Sequence, residues 1–170
     1  MSPITPVERI RGAEDGGEVD TDWWMLNYYR ATLVNKCAGL SDEQLCRRAV
    51  APSTLSLMGL LRHLADVEVY WFAYVFAGLD GNYAYDPDEL GDDFNKVTES
   101  PGEDVAATYL DRVAQSNRLC AGVSLDTLSQ RTDEGSINLR FIVVHMIEEY
   151  ARHCGHADLL REVIDGETGD

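Results

Sequence analysis

The chain has 170 residues, enough for one domain with a sizeable core, and its 45% hydrophobic and 26% charged content is ordinary for a globular protein. Fourteen Lys and Arg against thirty Asp and Glu give a formal charge of −16, so phosphate backbones and anionic membrane surfaces are repelled and neither nucleic acid nor membrane is an expected partner. No apolar run reaches transmembrane length, and the start Met1-Ser-Pro-Ile-Thr-Pro6 lacks the basic and apolar stretches of a secretory leader, which makes the cytoplasm the expected compartment.

Residues 1–19 are polar, carry proline and glycine and show no period, so they read as an arm laid over the surface. Residues 20–166 read as one helical domain and 167–170 as a short tail. Thr21 is placed to cap a first helix ending near Cys37, with Trp23, Trp24, Leu26, Tyr29, Leu33 and Val34 as its apolar set. Ser41-Asp-Glu-Gln44 is a capping-box pattern that opens a short connector helix. A second long helix is predicted from Ser53 or Thr54 to about Ala77, with an apolar stripe of Leu57, Leu60, Leu64, Val67, Trp71 and Val75. Residues 79–99 follow as a long acidic loop, long enough to be either a functional cover or a crossover. Ser100-Pro-Gly-Glu103 is a second capping-box pattern, opening a third helix to about Gly122. Asn138 or Ser136 caps a fourth helix that ends at Asp165-Gly166. No segment alternates with the period of a strand. Four long helices joined by connections of unequal length predict an all-α four-helix bundle.

Three of the four histidines, His145, His153 and His156, fall on the fourth helix; the other is His63. At roughly 100° per residue, with Glu149 at zero, His153 falls near ~40°, His156 near ~−20° and His145 near ~−40°. Ile142 and Leu160 share that face, so polar, metal-competent side chains run down what should be the buried stripe. Buried charge is costly unless it is paired or bound to metal. His63, at the edge of the second helix's stripe, is the partner across the bundle, and Ser56 and Gly59 one turn back leave space beside it. One His from one helix, with Glu149 and His153 from another, supplies three ligands. Two imidazoles and a carboxylate suit zinc, nickel, iron or manganese, and three protein ligands leave positions open for water or substrate. His145 reads as a hydrogen-bonded neighbour of that site. His156 is open between orienting a water, acting as a base and serving as a fourth ligand. Cys37, Cys46, Cys120 and Cys154 form no C-x-x-C pair and read as free, mostly buried thiols, with Cys154 pointing away from the site.

Four segments carry a family resemblance: Tyr29-Arg-Ala-Thr-Leu33, Leu40-Ser-Asp-Glu-Gln-Leu45, Leu60-Leu-Arg-His-Leu-Ala-Asp-Val-Glu-Val-Tyr-Trp-Phe72 and His145-Met-Ile-Glu-Glu-Tyr-Ala-Arg-His-Cys-Gly-His-Ala-Asp-Leu-Leu-Arg-Glu162. Together they resemble the DinB/YfiT-like metalloenzyme superfamily, and more closely its mycothiol-dependent DinB-like subgroup, over residues 20 to 166. The resemblance implies an up-down-down-up bundle, often dimeric, and a divalent metal, commonly zinc or nickel. His63, Glu149 and His153 map onto its His/Glu/His ligand pattern; many members have a histidine in place of Glu149. Cys154-Gly155-His156 stands where the broader superfamily often has Arg-Gly-Gln.

The implied activity is a metal-dependent thiol S-transferase. A low-molecular-weight thiol such as mycothiol is deprotonated on the metal and attacks a small electrophile. In this reading His156 is catalytic, steering a water or a proton. Arg152 and Tyr70 contact the cofactor or substrate, with Arg152 pairing either Glu68 or an anionic group of the ligand. Trp24, Tyr28 and Tyr74 join Tyr70 as candidate pocket walls. Three alternatives remain: a metal-dependent hydrolase, a thiol-dependent isomerase, which in this family carries a further C-terminal domain, and a non-catalytic helical homodimer that binds metal or ligand for sensing or sequestration.

Overall fold

The computed structural model describes residues 4–81, 83, 92–131 and 135–169. Part of the predicted acidic loop (residues 82 and 84–91), residues 132–134, the first three residues of the arm and the last residue of the tail lie outside the described residues. The elements in order are α1 (Glu18–Cys37), α2 (Asp42–Cys46), α3 (Leu57–Glu68, continuing as a π-helical segment Val69–Phe76), α4 (Asp92–Asn95), α5 (Gly102–Cys120) and α6 (Leu139–Asp165). Among the described residues there is no strand, only an isolated bridge between Leu128 and Asn138, and no helix is long and apolar enough to cross a membrane.

The helix ends show which local signals acted. α1 begins at Glu18, before Thr21, whose hydroxyl donates to Gly16 O at 3.4 Å. Glu18 and Asp20 in the first turn complement the helix dipole instead. The Ser41/Gln44 capping box of α2 forms as predicted. α3 is capped by Ser56, not by Ser53 or Thr54, with Ser56 Oγ accepting from Gly59 N at 3.1 Å. The second capping box does not form. Pro101 is the N-cap of α5 without a side-chain bond, and Asp42 Oδ1 from α2 accepts the Gly102 N–H at 2.9 Å. A neighbouring helix thus replaces the local cap. Asn138, not Ser136, caps α6, and Gly166 closes it at φ 82°, a conformation glycine adopts without strain.

Side-chain pairings fix the directions. Cys154 meets Tyr29 and Arg161 meets Lys36, so α1 and α6 run parallel. Arg30 meets Glu68 and Cys37 meets Leu57, so α3 runs against α1. Tyr109 meets Arg30 while Cys120, at the other end of α5, lies beside Val19 and Trp23 early in α1, so α5 also runs against α1. The result is the up-down-down-up bundle that the resemblance implies. The arm lies along α1: Asn35 pairs with the backbone of Val7 on both sides, at 2.8 and 3.0 Å, and Ile4 is buried.

The buried stripe of α3 differs from the predicted one. Val67 and Trp71 sit at its half-buried margin, while Leu61, Leu64, Glu68 and Phe72 run along its centre. Glu68 is wholly buried. Arg30 grips it as a two-pronged fork (Nε to Oε1 and Nη2 to Oε2, both 2.7 Å), and the Tyr150 hydroxyl donates to Oε1 at 2.7 Å. Asn27 and Asn117 each accept from Arg30 Nη1 at 2.9 Å. This satisfied network spans four helices, as a buried ion pair requires.

Candidate metal centre

One turn before Glu68, α3 presents His63; across the bundle α6 presents Glu149 and His153 on one face, four residues apart. One ligand atom from each lies within 4.8 Å of the other two. The His63 and His153 rings meet at 4.9 Å between centroids and 65° between planes. His153 Nε2 is 3.4 Å from Glu149 Oε2. The donor set, two ring nitrogens and one carboxylate oxygen, fits a divalent transition metal.

Each of the three has a second partner on its outer side. Asp93 Oδ2 lies 2.8 Å from His63 Nδ1. A carboxylate only accepts, so Nδ1 carries the proton and the lone pair is on Nε2. His156 Nδ1 lies 3.3 Å from His153 Nδ1, which likewise leaves His153 Nε2 toward Glu149. Arg152 Nη1 and His145 Nε2 lie 3.5 and 3.9 Å from Glu149 Oε1, leaving Oε2 toward the centre. Burial pushes the His153 imidazole down to about 4, helped by the nearby charges of His63, His156 and Arg152. It is therefore neutral at pH 7, as a ligand must be.

The other expectations fare differently. Arg152 does not pair with Glu68, which is sealed inside the bundle under Arg30 and Tyr150; it lies on the solvent side of α6 and pairs with Glu148 and Glu149. The space expected beside Gly59 is filled. A Cβ on Gly59 would stand 2.7 Å from Phe94 Cδ1, and the Phe94 ring packs on His63 at 5.2 Å between centroids. Arg62 Nε donates to Asp93 O at 2.9 Å and Arg48 Nη2 to Phe94 O at 3.2 Å, so α4 is latched onto α3 beside the site. Trp24 and Tyr28 are covered by the arm: Gly12 sits over the Trp24 ring and the Arg9 guanidinium 5.3 Å from the Tyr28 ring. Tyr70 and Tyr74 line a cavity of about 210 Å³ with Trp71, Val75, Arg131, Gly135 and Ile137. His145 packs on Trp71, 4.7 Å between centroids, and with Glu148 and Glu149 makes a second, more exposed cluster of ligand-capable atoms.

Asp93, Phe94 and Arg131 escaped the sequence reading. Asp93 is one acid among many in its segment, and no spacing ties it to His63. All four cysteines are free. Burial pushes Cys37, Cys120 and Cys154 up to about 12, and Cys46 also upward. Cys154 Sγ points at Tyr29 O, away from the centre.

No curated protein and no solved structure matches the chain. The mycothiol-S-transferase family profile matches residues 24–166, nearly the whole of the bundle and the helices that carry His63, Glu149 and His153. The chain belongs to the mycothiol-S-transferase family.

Proposed function

We propose that the protein is a metal-dependent thiol S-transferase in which His63, Glu149 and His153 hold one divalent ion, zinc or nickel, and a low-molecular-weight thiol such as mycothiol is joined to a small electrophile. The observation that carries this reading is the convergence of three ligand atoms within 4.8 Å, while His156 approaches the far nitrogen of His153 instead of joining them. A three-ligand set leaves room for a substrate atom. The ion, when bound, favours the thiolate form of the cosubstrate at neutral pH.

The chain's own residues do the rest. Asp93 and His156 hold the two imidazoles with Nε2 inward. Arg152, its guanidinium 3.5 Å from Glu149 Oε1, holds the carboxylate and balances its charge. His156, half-buried beside His153, accepts the proton on His153 Nδ1, so its part is to hold that ring rather than to take the thiol proton. The attacking sulfur comes from the cosubstrate, because burial keeps the protein's own buried thiols protonated.

Metal analysis of the purified protein is expected to find about one ion per chain, lost in His63→Ala and His153→Ala and kept in His145→Ala. A panel of thiols against a fluorogenic electrophile then reads the activity. Rates equal to the uncatalysed background for every thiol, with the metal present, overturn the transferase reading.

A further inference from the structure

The cavity beside the centre has the lining of a ligand site. Tyr70 and Tyr74 stack with centroids 5.9 Å apart and planes 21° apart, and Trp71 stands edge-on to Tyr70 at 84°. Tyr70 and Tyr74, four apart on the π-helical segment, and Trp71 beside Tyr70 line one side of it. Opposite them, the 123–138 connection docks on the end of that segment through Gln130 N to Phe76 O and Arg131 N to Val75 O, at 2.9 and 3.3 Å. Arg131 is thereby fixed. Its Nε donates to Tyr74 O at 3.1 Å, and its guanidinium lies 3.7 Å from the centroid of the Tyr74 ring. Its Nη2 also donates to Leu79 O at 3.4 Å, and among the described residues the carboxylate facing it is Asp80, 3.8 Å away and fully exposed, a solvent-screened pair that a ligand anion can displace.

We infer that this cavity is the acceptor subsite and that it takes a single-ring aromatic electrophile bearing a carboxylate or similar anionic group, the ring lying against Tyr70, Trp71 and Tyr74 and the anion on Arg131. Size sets the ring count. A dry cavity of about 150 Å³ holds benzene, so about 210 Å³ has room for one substituted ring. Charge sets the anionic group, because an arginine over an aromatic face is a planar carboxylate receptor. Adjacency sets the role. Trp71 packs on His145, and His145 Nε2 lies 3.9 Å from Glu149 Oε1, so one histidine separates the cavity wall from a proposed ligand. This inference rests on the transferase reading for its word acceptor, and on the cavity alone for its ligand class.

Calorimetric titration of benzoate and benzamide into the full chain tests it, with and without metal. Benzoate is expected to bind at least ten-fold more tightly than benzamide. Arg131→Gln is expected to remove that preference, Arg131→Lys to retain part of it, and Tyr70→Ala to weaken both ligands. Equal binding of the two ligands, or loss of the preference in Arg131→Lys as well as Arg131→Gln, overturns the assignment. In the metal-loaded enzyme benzoate is expected to compete with an aromatic electrophile and not with the thiol; competition with the thiol gives the cavity to the thiol and overturns the acceptor role. A preference for benzoate in His63→Ala protein that has no transferase activity shows the cavity standing independently of the proposed chemistry. Absence of the preference in an active transferase removes this inference alone.

Discussion

His63 is oriented by Asp93, whose Oδ2 stands 2.8 Å from the ring Nδ1, and the two residues belong to different elements thirty positions apart. A helix of four residues therefore sets which nitrogen of a bundle histidine faces Glu149 and His153. The contact is reinforced by Phe94 seated against Gly59 and by the Arg62 and Arg48 bonds to the α4 backbone.

Removing this carboxylate is expected to weaken metal binding without unfolding the bundle. Partners of this kind contribute about 10–100-fold to affinity. Asp93→Ala is thus expected to lower affinity by that factor in competition against a chromophoric chelator, with an unchanged helical circular dichroism spectrum. Gly59→Ala, which pushes on Phe94, is expected to act in the same direction and to add little to Asp93→Ala. An Asp93→Ala protein with wild-type affinity would show that the bundle alone orients His63.

Glu68 is expected to be among the most sensitive positions for stability. Its neutralisation leaves the Arg30 guanidinium charged and wholly enclosed, which costs about 3–5 kcal/mol for a broken buried pair. Glu68→Gln should shift the urea midpoint accordingly, whereas the Arg30→Met/Glu68→Leu double variant should recover most of the loss. A single-variant loss below ~1 kcal/mol would mean that water reaches the pair.

Acid should destabilise the metal-free protein through His153. Its folded-state imidazole titrates near 4, below the ordinary value of 6.5, because burial disfavours the charged ring. Between these two values the unfolded chain binds the proton and the folded chain does not, so stability falls as pH drops from about 6.5 to 4 and is fully present above that window. Urea midpoints measured across it should show a shallower slope for His153→Gln than for wild type. Parallel slopes would assign the acid sensitivity to other groups.

The fourth helix was the most legible element because its signals are local. Asn138 and Gly166 mark its ends, and the spacing of Glu149 and His153 alone puts both on one face. The second helix was harder. The straight α-period places Trp71 in the stripe, but the backbone widens after Glu68, and Trp71 turns toward the cavity while Phe72 goes inward. From the sequence Glu68 reads only as one of two partners open to Arg152, the other being an anionic group of the ligand. Its true partner, Arg30, lies on another helix thirty-eight positions away, a choice that only packing makes. The same holds for Asp42 capping α5 in place of Ser100.

Tyr150 follows Glu149 directly, and its hydroxyl is hydrogen-bonded to Glu68 one helical stretch below His63. That bond ties α3 to α6 inside the protein, away from His63, Glu149 and His153. The proposed cage is thus expected to keep its fold without an ion, unlike small zinc modules that fold only when loaded. Loading should raise the melting temperature only by mass action, in step with free metal concentration, and leave the far-ultraviolet spectrum unchanged. The proposed centre is then expected to exchange one divalent ion for another without the chain refolding, with relative affinity and supply deciding which ion is bound.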